Sequence, residues 1–333
     1  MIFFLVIIIL NFIFYLLSDK IAKVLKIYDN PDKIRKIHTK KTSLLGGLIF
    51  LINIFGYLIY GIIVNKSLIF ETFGFQKHIS VFIFIFSLIV LFVIGYIDDK
   101  IKLTAKLRLL LLTIIVSINL LVNPELNISL IKLSFVSPFS IGGFSFFWTF
   151  LCFLLFINAF NFFDGLNLQS AGLIYSICFF FLYKKIFFDF FVIIFIANTV
   201  FLYLNYHSRT FLGNSGSFFL PFLFGALFIS SYNNRPSLMA DEIVVLMLIP
   251  GWDLIRLFFL RIINKKNPMI ADNNHIHHYL IKKFSQTKSA MIIQSLIWIP
   301  FFLSQYLGHT YFILAAQTIC YFLIIARYRN YRN

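Results

Sequence analysis

The sequence predicts an all-α polytopic membrane protein. Of its 333 residues 60% are hydrophobic, and the mean hydropathy of +0.89 is far above that of soluble domains. Apolar runs of roughly 17 to 25 residues, the length that crosses a bilayer as a helix, recur along the chain. No stretch between them is long and polar enough for a separate soluble domain. We therefore expect one integral membrane domain over residues 1–333.

The apolar runs define eleven predicted spans. The first lacks the basic start and the small-residue cleavage site of a signal peptide, which predicts a retained helix. The spans are expected near residues 1–17, 45–64, 79–97, 107–123, 143–161, 168–183, 187–206, 216–231, 242–262, 289–305 and 309–326.

The net charge of +16 is explained by orientation in a membrane, so nucleic acid is not an expected partner. Alternate connections hold 23 of the 29 basic residues, and the opposite side holds Lys66, Lys77, Lys132, Lys184, Lys185 and Arg235. Because basic loops stay in the cytoplasm, the N-terminus is predicted outside and the C-terminus inside. The three cysteines lie in apolar runs without paired spacing, which predicts neither a disulfide framework nor a zinc site.

Unusual polar clusters fall on the predicted cytoplasmic face. They are residues 29–47 (DNPDKIRKIHTKKTSLLGG), 95–106 (GYIDDKIKLTAK), 158–165 (NAFNFFDG), 211–217 (FLGNSGS) and 253–278. The connections on the other side contain nothing comparable. Polar loops that converge on one membrane face are typical of an active site whose substrates are partly soluble and partly in lipid.

The adjacent carboxylates of Asp98 and Asp99 end a very apolar span. A carboxylate costs about 2.5–3.5 kcal/mol at mid-bilayer and less at the interface, so this pair tends to be functional; a solvated helix end is the alternative. Adjacent carboxylates can hold Mg²⁺ against phosphate oxygens, or one can act as a base because the other raises its pKa. Lys106 can supply a positive charge to a phosphate.

Asn158, Asn161 and Asp164 are spaced three apart, so they share one helical face at the end of a span. Gly165 is expected to end this helix. Amide and carboxylate side chains in one stripe offer oxygen ligands and hydrogen bonds to a polar substrate. An accidental stripe at a helix exit is the alternative interpretation.

Two other stretches carry weaker signals. The small residues GNSGS, 213–217, predict a loop whose backbone N–H groups can approach a phosphate, although an ordinary turn is the simpler interpretation. Arg35 and His38, in RKIH, are explained mainly by the charge of the cytoplasmic side and secondarily by a phosphate-binding role.

Asp253 and Arg256 stand at i and i+3, where an acid and a base can pair within one helix. The preceding Pro250–Gly251 predicts a break in that helix. A broken helix can open a groove for a lipid tail.

His275, His277 and His278 lie within four residues. Two histidines that bind zinc from one helix are typically spaced i, i+4. Here the spacing is i, i+2, i+3, no cysteine is nearby and no glutamate lies between the histidines. Lysine pairs flank the three imidazoles on both sides. This basic, donor-rich loop suits a pyrophosphate better than a metal cation.

Six motifs, taken in order, resemble those of the polyprenyl-phosphate N-acetylhexosamine-1-phosphate transferases, glycosyltransferase family 4. They are RKIH…GG, DDKIKLTAK, NAFNFFDG, FLGNSGS, IPGWDLIRLFFLR and HIHH, and they cover nearly the whole chain. The ordered set on one membrane face is specific, although no single motif is decisive. The HIHH form, with an eleventh span, resembles the branch that uses UDP-N-acetylglucosamine.

The resemblance implies a transferase that depends on Mg²⁺, with Mn²⁺ as an alternative ion. It implies transfer of N-acetylhexosamine-1-phosphate from a UDP-sugar to undecaprenyl phosphate, with release of UMP. In this interpretation Asp98 activates or orients the lipid phosphate, with Asp99 alongside. Asp164, with Asn158 and Asn161, serves the metal or the nucleotide, and the three histidines hold the pyrophosphate or the sugar.

The implied setting is the cytoplasmic face of a bacterial plasma membrane. There such a transferase initiates a lipid-linked cell-envelope glycan, for example an O-antigen of lipopolysaccharide or a cell-wall polymer. The sequence leaves the sugar, the pathway and the oligomeric state open, a homodimer included.

The chain departs from the family pattern at three places. Asn214 stands where the family usually has an aspartate that binds Mg²⁺, so the implied metal set of Asp98, Asp164 and Asn214 has one negative charge fewer. Asn273 replaces a usual arginine, and Thr42–Ser43 stands where a proline is usual. These departures leave metal affinity and sugar identity open.

Other classes of function predict different patterns. A transporter or lipid flippase is expected to carry charges at mid-membrane near inverted repeats, whereas the polar groups here gather at one face and no internal repeat is evident. A catalytically weakened paralogue, suggested by Asn214, is a second alternative. A transferase for another UDP-N-acetylhexosamine, such as a 6-deoxy sugar, is a third.

Overall fold

The computed structural model describes residues 2–31, 41–64, 67–267 and 273–329, and most of them are helical. In these ranges ten helices are long and apolar enough to cross a membrane. They are α1 (Ile2–Leu25), α2 (Gly46–Val64), α4 (His78–Ile101), α5 (Ala105–Val122), α6 (Ser145–Phe163), α8 (Phe188–Tyr206), α9 (Gly213–Asn234), α10 (Ala240–Ile263), α12 (Gln286–Leu307) and α13 (Thr310–Tyr328). Shorter helices are α3 (Ser67–Phe73), α7 (Gln169–Tyr183) and α11 (Ile276–Leu280). The predicted class of polytopic helical membrane protein is confirmed.

Each of the eleven predicted segments is a helix, but the sixth, α7, has only 15 residues and a length of about 22 Å. It packs antiparallel to α8, with Asn198 Nδ2 donating to Ala171 O at 2.9 Å and the rings of Phe181 and Phe191 stacked at 4.1 Å. Leu168, the residue before α7, donates its backbone N–H to Asn205 Oδ1 in the last turn of α8. The count of eleven crossings and the orientation of the termini stay predictions.

Helix α9 lies at the centre of the bundle. Its membrane-spanning window is 100% buried, whereas 22% to 50% of the corresponding window is buried in the other nine long helices of the described ranges. Glycines allow close approach here, because a Cβ on Gly47 would lie 2.5 Å from Gly216 N and one on Gly95 would lie 2.3 Å from Asn214 O. In lipid the hydrophobic effect does not drive helices together, and small residues at their contacts instead allow close van der Waals packing.

Two local expectations are wrong. Residues 213–217 are the first turn of α9 instead of a loop, because their small side chains serve close helix packing. Pro250 lies inside α10, which runs unbroken from Ala240 to Ile263. A transmembrane helix tolerates proline when its surroundings compensate for the lost backbone hydrogen bond. No helix break therefore opens a groove at this position.

Two small antiparallel sheets accompany the helices. In the first, β1 (Tyr28–Asp29) pairs with β2 (Thr42–Ser43) in the register Tyr28 to Ser43. Ser43 Oγ donates to Arg209 O at 2.8 Å, and Phe211 N donates to Ser43 O at 2.8 Å. The hydroxyl side chains at 42–43 thus connect the segment before α2 to the segment that leads into α9.

The second sheet, β3 (Leu130–Leu133) with β4 (Val136–Ser140), lies at the C-terminal end of α9. The buried Lys132 Nζ donates to Tyr232 O at 2.6 Å and to Arg235 O at 2.9 Å. Beside it, both oxygens of the buried Asp241 accept hydrogen bonds from Ser134. The expectation that this side holds no comparable polar cluster is therefore wrong, since pairing across the chain collected residues that are isolated in the sequence.

We predict that Lys132→Met destabilises the protein. The substitution keeps the apolar stem but removes a cation from the last carbonyls of α9, where hydrogen bonds to a charged group are worth roughly 1.5–3 kcal/mol. The midpoint of thermal unfolding in detergent should fall by several degrees relative to the wild type. Lys185→Met, at an exposed position on the same side, is the matched control and should leave the midpoint nearly unchanged. Equal midpoints for the two variants would contradict the capping role.

Candidate active site

Asp99 lies at the N-terminus of α9. Its Oδ1 accepts from Asn214 N at 2.9 Å and its Oδ2 from Ser215 N at 3.2 Å. These N–H groups belong to the first helical turn, which lacks internal acceptors and carries the positive end of the helix dipole. Gly213 has φ +75°, and a Cβ there would lie 2.7 Å from Asp99 Oδ2, so the turn requires glycine. The N–H groups predicted to meet a phosphate therefore bind a carboxylate.

Asp98 is buried in an ion pair. Its Oδ1 accepts from Leu103 N at 2.7 Å, and its Oδ2 lies 3.2 Å from Arg108 Nη1. Arg108, at the start of α5, was not among the predicted site residues because it counted only as one more basic residue on the cytoplasmic side. Its side chain is 31% exposed and can reach a ligand. The predicted phosphate residue Lys106 is exposed two residues earlier.

The predicted stripe on α6 divides into two environments. Asn161 Nδ2 donates to Asn214 Oδ1 at 3.0 Å and to Ser217 Oγ at 2.6 Å, so this amide joins the start of α9. Asn158 Nδ2 instead donates to Leu154 O at 2.7 Å in its own helix. Asn161 and Asn214 are thus brought together as predicted site residues, and Asn158 contacts neither.

Asp164 follows the last residue of α6 and is half-buried. Burial raises the pKa of its carboxyl to about 6, although the nearby Ser170 lowers it. A cation beside this group would favour the ionised form. Asp164 and Asp98 both act electrostatically on Asp99, so the three aspartates share one region.

Gly165 brings the histidine loop, which we define as residues 274–278, to the end of α6. A Cβ on Gly165 would lie 2.2 Å from Cε1 of His277. As predicted, α6 ends directly before this position, at Phe163 with Asp164 as its C-cap. Gly165 is not among the glycines with positive φ, so the imidazole of His277 is what requires glycine here. The ring of His275 also contacts Phe162 edge-on at 5.7 Å.

The three imidazoles form one cluster. The rings of His275 and His277 are nearly parallel at 5.3 Å, and those of His277 and His278 are 4.3 Å apart. Burial, with the neighbouring His278 and His275, lowers the pKa of His277 well below its ordinary range, so this ring is neutral at neutral pH. A neutral imidazole donates one N–H bond.

Asp253 anchors the histidine loop to α10. Its Oδ2 lies 2.7 Å from His275 Nδ1, and its Oδ1 accepts from Ile276 N at 3.1 Å. The predicted pair with Arg256 is confirmed at 2.8 Å, and Arg256 Nη2 also donates to Asn274 O at 2.6 Å. Sequence reasoning found the pair but missed its connection to the loop, since the two segments are 22 residues apart.

The oxygen-bearing side chains of the site fit a hard divalent cation whose coordination shell is completed by other oxygen ligands. No three His, Cys, Asp or Glu side chains among the described residues are arranged to hold one metal ion. Mg²⁺ usually takes only one or two carboxylates and completes its shell with water and phosphate oxygens. Asp99 and Asp164 have no basic partner within salt-bridge distance in the described ranges. Two half-buried carboxylates that have no basic partner in the described ranges fit the role of ligands to a cation.

Two of the predicted substrate-binding residues, Arg35 and His38, lie outside the described residues. The other predicted site residues lie in the last two turns of α4 and α6 or directly after α6, in the first turns of α5 and α9, or in the segment after α10. Together they form a polar surface at one end of an apolar bundle.

This architecture defines a polytopic membrane protein with a polar site at one end of its helices. The sequence of the chain is similar to those of several known proteins. Residues 81–232 match the model of glycosyl transferase family 4. A Bacillus subtilis protein named probable undecaprenyl-phosphate N-acetylglucosaminyl 1-phosphate transferase is 28% identical over 316 residues, covering 92% of this chain and 84% of the relative. Two proteins named undecaprenyl-phosphate alpha-N-acetylglucosaminyl 1-phosphate transferase, from Salmonella typhi and Escherichia coli K12, are each 24% identical and cover 85% of this chain.

These matches confirm the resemblance to glycosyl transferase family 4 that the motifs predicted. The matched region contains the three aspartates, Asn161 and Asn214. The histidine loop and its anchors lie beyond the last matched residue.

Gly165→Ala should displace the imidazole of His277. The ring is buried and held between two other histidines, so it cannot turn away freely, and overpacking of this kind costs about 1–3 kcal/mol. We expect a lower thermal midpoint in detergent. Gly143→Ala is the control, because a Cβ there meets nothing within 4 Å. Equal midpoints for both variants would show that the ring has room to move.

Proposed function

We propose that this protein transfers N-acetylhexosamine-1-phosphate from a UDP-sugar to undecaprenyl phosphate and releases UMP. The observation that carries the proposal is the gathering of Asp98, Asp99, Asp164 and the histidine loop at one end of a membrane bundle. The names of the relatives, which match most of the chain, support the same reaction. At this position the phosphate of a membrane-bound lipid and a soluble nucleotide can meet.

The reaction joins an oxygen of the lipid phosphate to the β-phosphorus of the UDP-sugar. The bond between that phosphorus and the oxygen bridging to the α-phosphate breaks, and UMP leaves with the bridging oxygen. The product is a lipid diphosphate that carries the sugar. Because the attacking group is already an anion, the protein must supply positioning and neutralisation of charge more than a covalent nucleophile.

Asp99, Asp164 and the amide oxygen of Asn214 are the residues that would hold Mg²⁺, with Mn²⁺ as an alternative. A bound divalent ion would neutralise developing charge on the pyrophosphate oxygens. Asp98, which the family pattern suggested as a ligand, is instead occupied by Arg108. In this proposal Asp98 orients Arg108 toward the lipid phosphate, and Lys106 supplies a second positive charge.

The histidine loop would bind the pyrophosphate or the sugar of the donor. His277 lies against the backbone of Gly165, directly after Asp164, so a donor that contacts the imidazoles also reaches the carboxylate. The distribution of 23 of the 29 basic residues on this side supports a cytoplasmic site in a bacterial plasma membrane.

The decisive test uses purified protein in detergent with undecaprenyl phosphate. A panel of UDP-N-acetylglucosamine, UDP-N-acetylgalactosamine, a 6-deoxy UDP-N-acetylhexosamine and UDP-glucose would be scored for UMP release. We expect release with an N-acetylated donor, only when the lipid phosphate is present, and abolished by excess EDTA until Mg²⁺ is restored. Turnover without the lipid would contradict the transferase, and turnover in EDTA would contradict the metal.

Asp164→Asn should lower kcat by at least about two orders of magnitude, because it removes a negative charge from the metal site and keeps the shape of the side chain. The matched control is Asp189→Asn, an exposed carboxylate in the first turn of α8. Steady-state UMP release measures both variants. A near-wild-type rate in Asp164→Asn would remove this residue from the site.

Asn214→Asp should lower the Mg²⁺ concentration that gives half-maximal activity, with kcat equal or higher. The carboxylate can accept the same hydrogen bond from Asn161 and adds a negative charge beside Asp99 and Asp164. Asn264→Asp, beyond the end of α10, controls for added charge on the same side. Lost activity in a correctly folded Asn214→Asp variant would mean that the site requires the amide.

A further inference from the structure

Tyr321, in the last helix α13, is fully buried among polar partners of the histidine loop. Its hydroxyl donates to Asp253 Oδ1 at 2.9 Å and accepts from Arg256 Nε at 2.7 Å. A tyrosine hydroxyl has one donor, and here that donor and one acceptor position are both used by charged groups. The family match ends at residue 232, so it says nothing about this arrangement.

The two partners of Tyr321 are the groups that hold the histidine loop. Asp253 binds His275 Nδ1 and Ile276 N, and Arg256 binds Asn274 O. Three consecutive residues of the loop are therefore fixed by one carboxylate and one guanidinium. Because Nδ1 of His275 faces Asp253, the orientation of that ring follows from the position of the carboxylate.

We propose that Tyr321 is a positioning residue for the histidine loop, which makes the last helix part of the donor-binding machinery. Its hydroxyl fixes Asp253 and Arg256 relative to each other, and they in turn fix His275 and the backbone at Asn274. Tyr321 acts through these residues and does not itself touch the donor. The effect on catalysis rests on the proposed function, whereas the effect on the loop does not.

Other hydrogen bonds besides those of this hydroxyl attach α13 to the bundle. Gln317 Nε2 donates to Val245 O at 3.0 Å and to Leu296 O at 2.8 Å, and Trp252 Nε1 donates to Thr318 Oγ1 at 3.0 Å. These contacts join α13 to α10 and α12 without involving the loop. Thr318→Val is therefore a matched control that removes one hydrogen bond from the same helix.

The first experiment compares Tyr321→Phe with Thr318→Val. For Tyr321→Phe we expect kcat/KM for the sugar nucleotide to fall about ten-fold, as for a lost supporting partner of a site residue, with KM for the lipid phosphate nearly unchanged. Thr318→Val should change neither, even if both variants lose similar thermal stability. Equal kinetic effects in the two variants would reduce Tyr321 to a structural contact and overturn the proposal.

A double-mutant cycle tests whether Tyr321 acts through the loop. In a His275→Ala background, Tyr321→Phe should cause little further loss, because the ring that it positions is already gone. Multiplicative losses would show that the two residues act independently, which contradicts the proposal.

A third measurement is independent of activity. Modification of His275 by diethyl pyrocarbonate, followed by mass spectrometry, should be several-fold faster in Tyr321→Phe than in the wild type or in Thr318→Val. Unchanged modification would overturn the positioning role even if the enzyme is active. Faster modification in a protein that releases no UMP would support the positioning role and defeat the proposed function alone.

Discussion

The bundle is organised around α9, the one long helix of the described ranges whose membrane-spanning window is fully buried, and opposite charges cap its two ends. A helix of 22 residues is about 33 Å long, and its terminal N–H and C=O groups lack internal partners. In an apolar environment each unsatisfied group costs several kcal/mol. Asp99 meets the first N–H groups and Lys132 meets the last carbonyls, so each charge lies at the end of the dipole that favours it.

This constraint links the core of the protein to its site. Asp99 caps α9 and is also one of the clustered carboxylates, so its position is fixed by the packing of the central helix. The close contacts of Gly95 and Gly216 set the distance of α4 and α2 from the same helix end. Asn161 then joins α6 to the first turn of α9 through Asn214. The carboxylate and amide part of the site is thus built on helix termini.

The histidine part of the site has a separate support. It is held on α10 through Asp253, and it meets the first part where His277 lies against Gly165. A site assembled from two supports can be altered on one side without disturbing the other. Under the proposed function, different substitutions would therefore affect the KM for the lipid phosphate and the KM for the sugar nucleotide.

The apolar runs were sufficient to predict every long helix, because the length and hydropathy of a membrane span are local properties. The polar clusters predicted which segments meet, since they stand at span ends on one side. Local sequence patterns failed to predict the role of a residue where that role depends on packing between distant segments. Gly213 and its neighbours carry the composition of a loop, yet in a membrane bundle small residues mark close helix contacts. Lys132 counted as one charge among 29, although it caps the central helix.

Tyr321 shows the limit of sequence reasoning most clearly. It is one of 16 tyrosines and stands in an apolar run, so only its partners on another helix distinguish it. Arg108 was hidden in the same way by the general excess of basic residues. Residues whose role comes from a partner far along the chain have no local pattern to detect. These residues hold the chemistry-bearing groups in place without belonging to a recognisable motif.

At Asn214 the hydrogen-bond geometry and the charge of the side chain can be considered separately. The amide keeps the hydrogen bond from Asn161 that a carboxylate would also accept, so the geometry at the start of α9 does not depend on which of the two is present. Only the electrostatics differ. If a divalent ion binds beside Asp99 and Asp164 as proposed, the two carboxylates neutralise it, whereas a third would leave a net negative charge facing an anionic donor. In that arrangement the amide would favour entry of the pyrophosphate over tight binding of the ion.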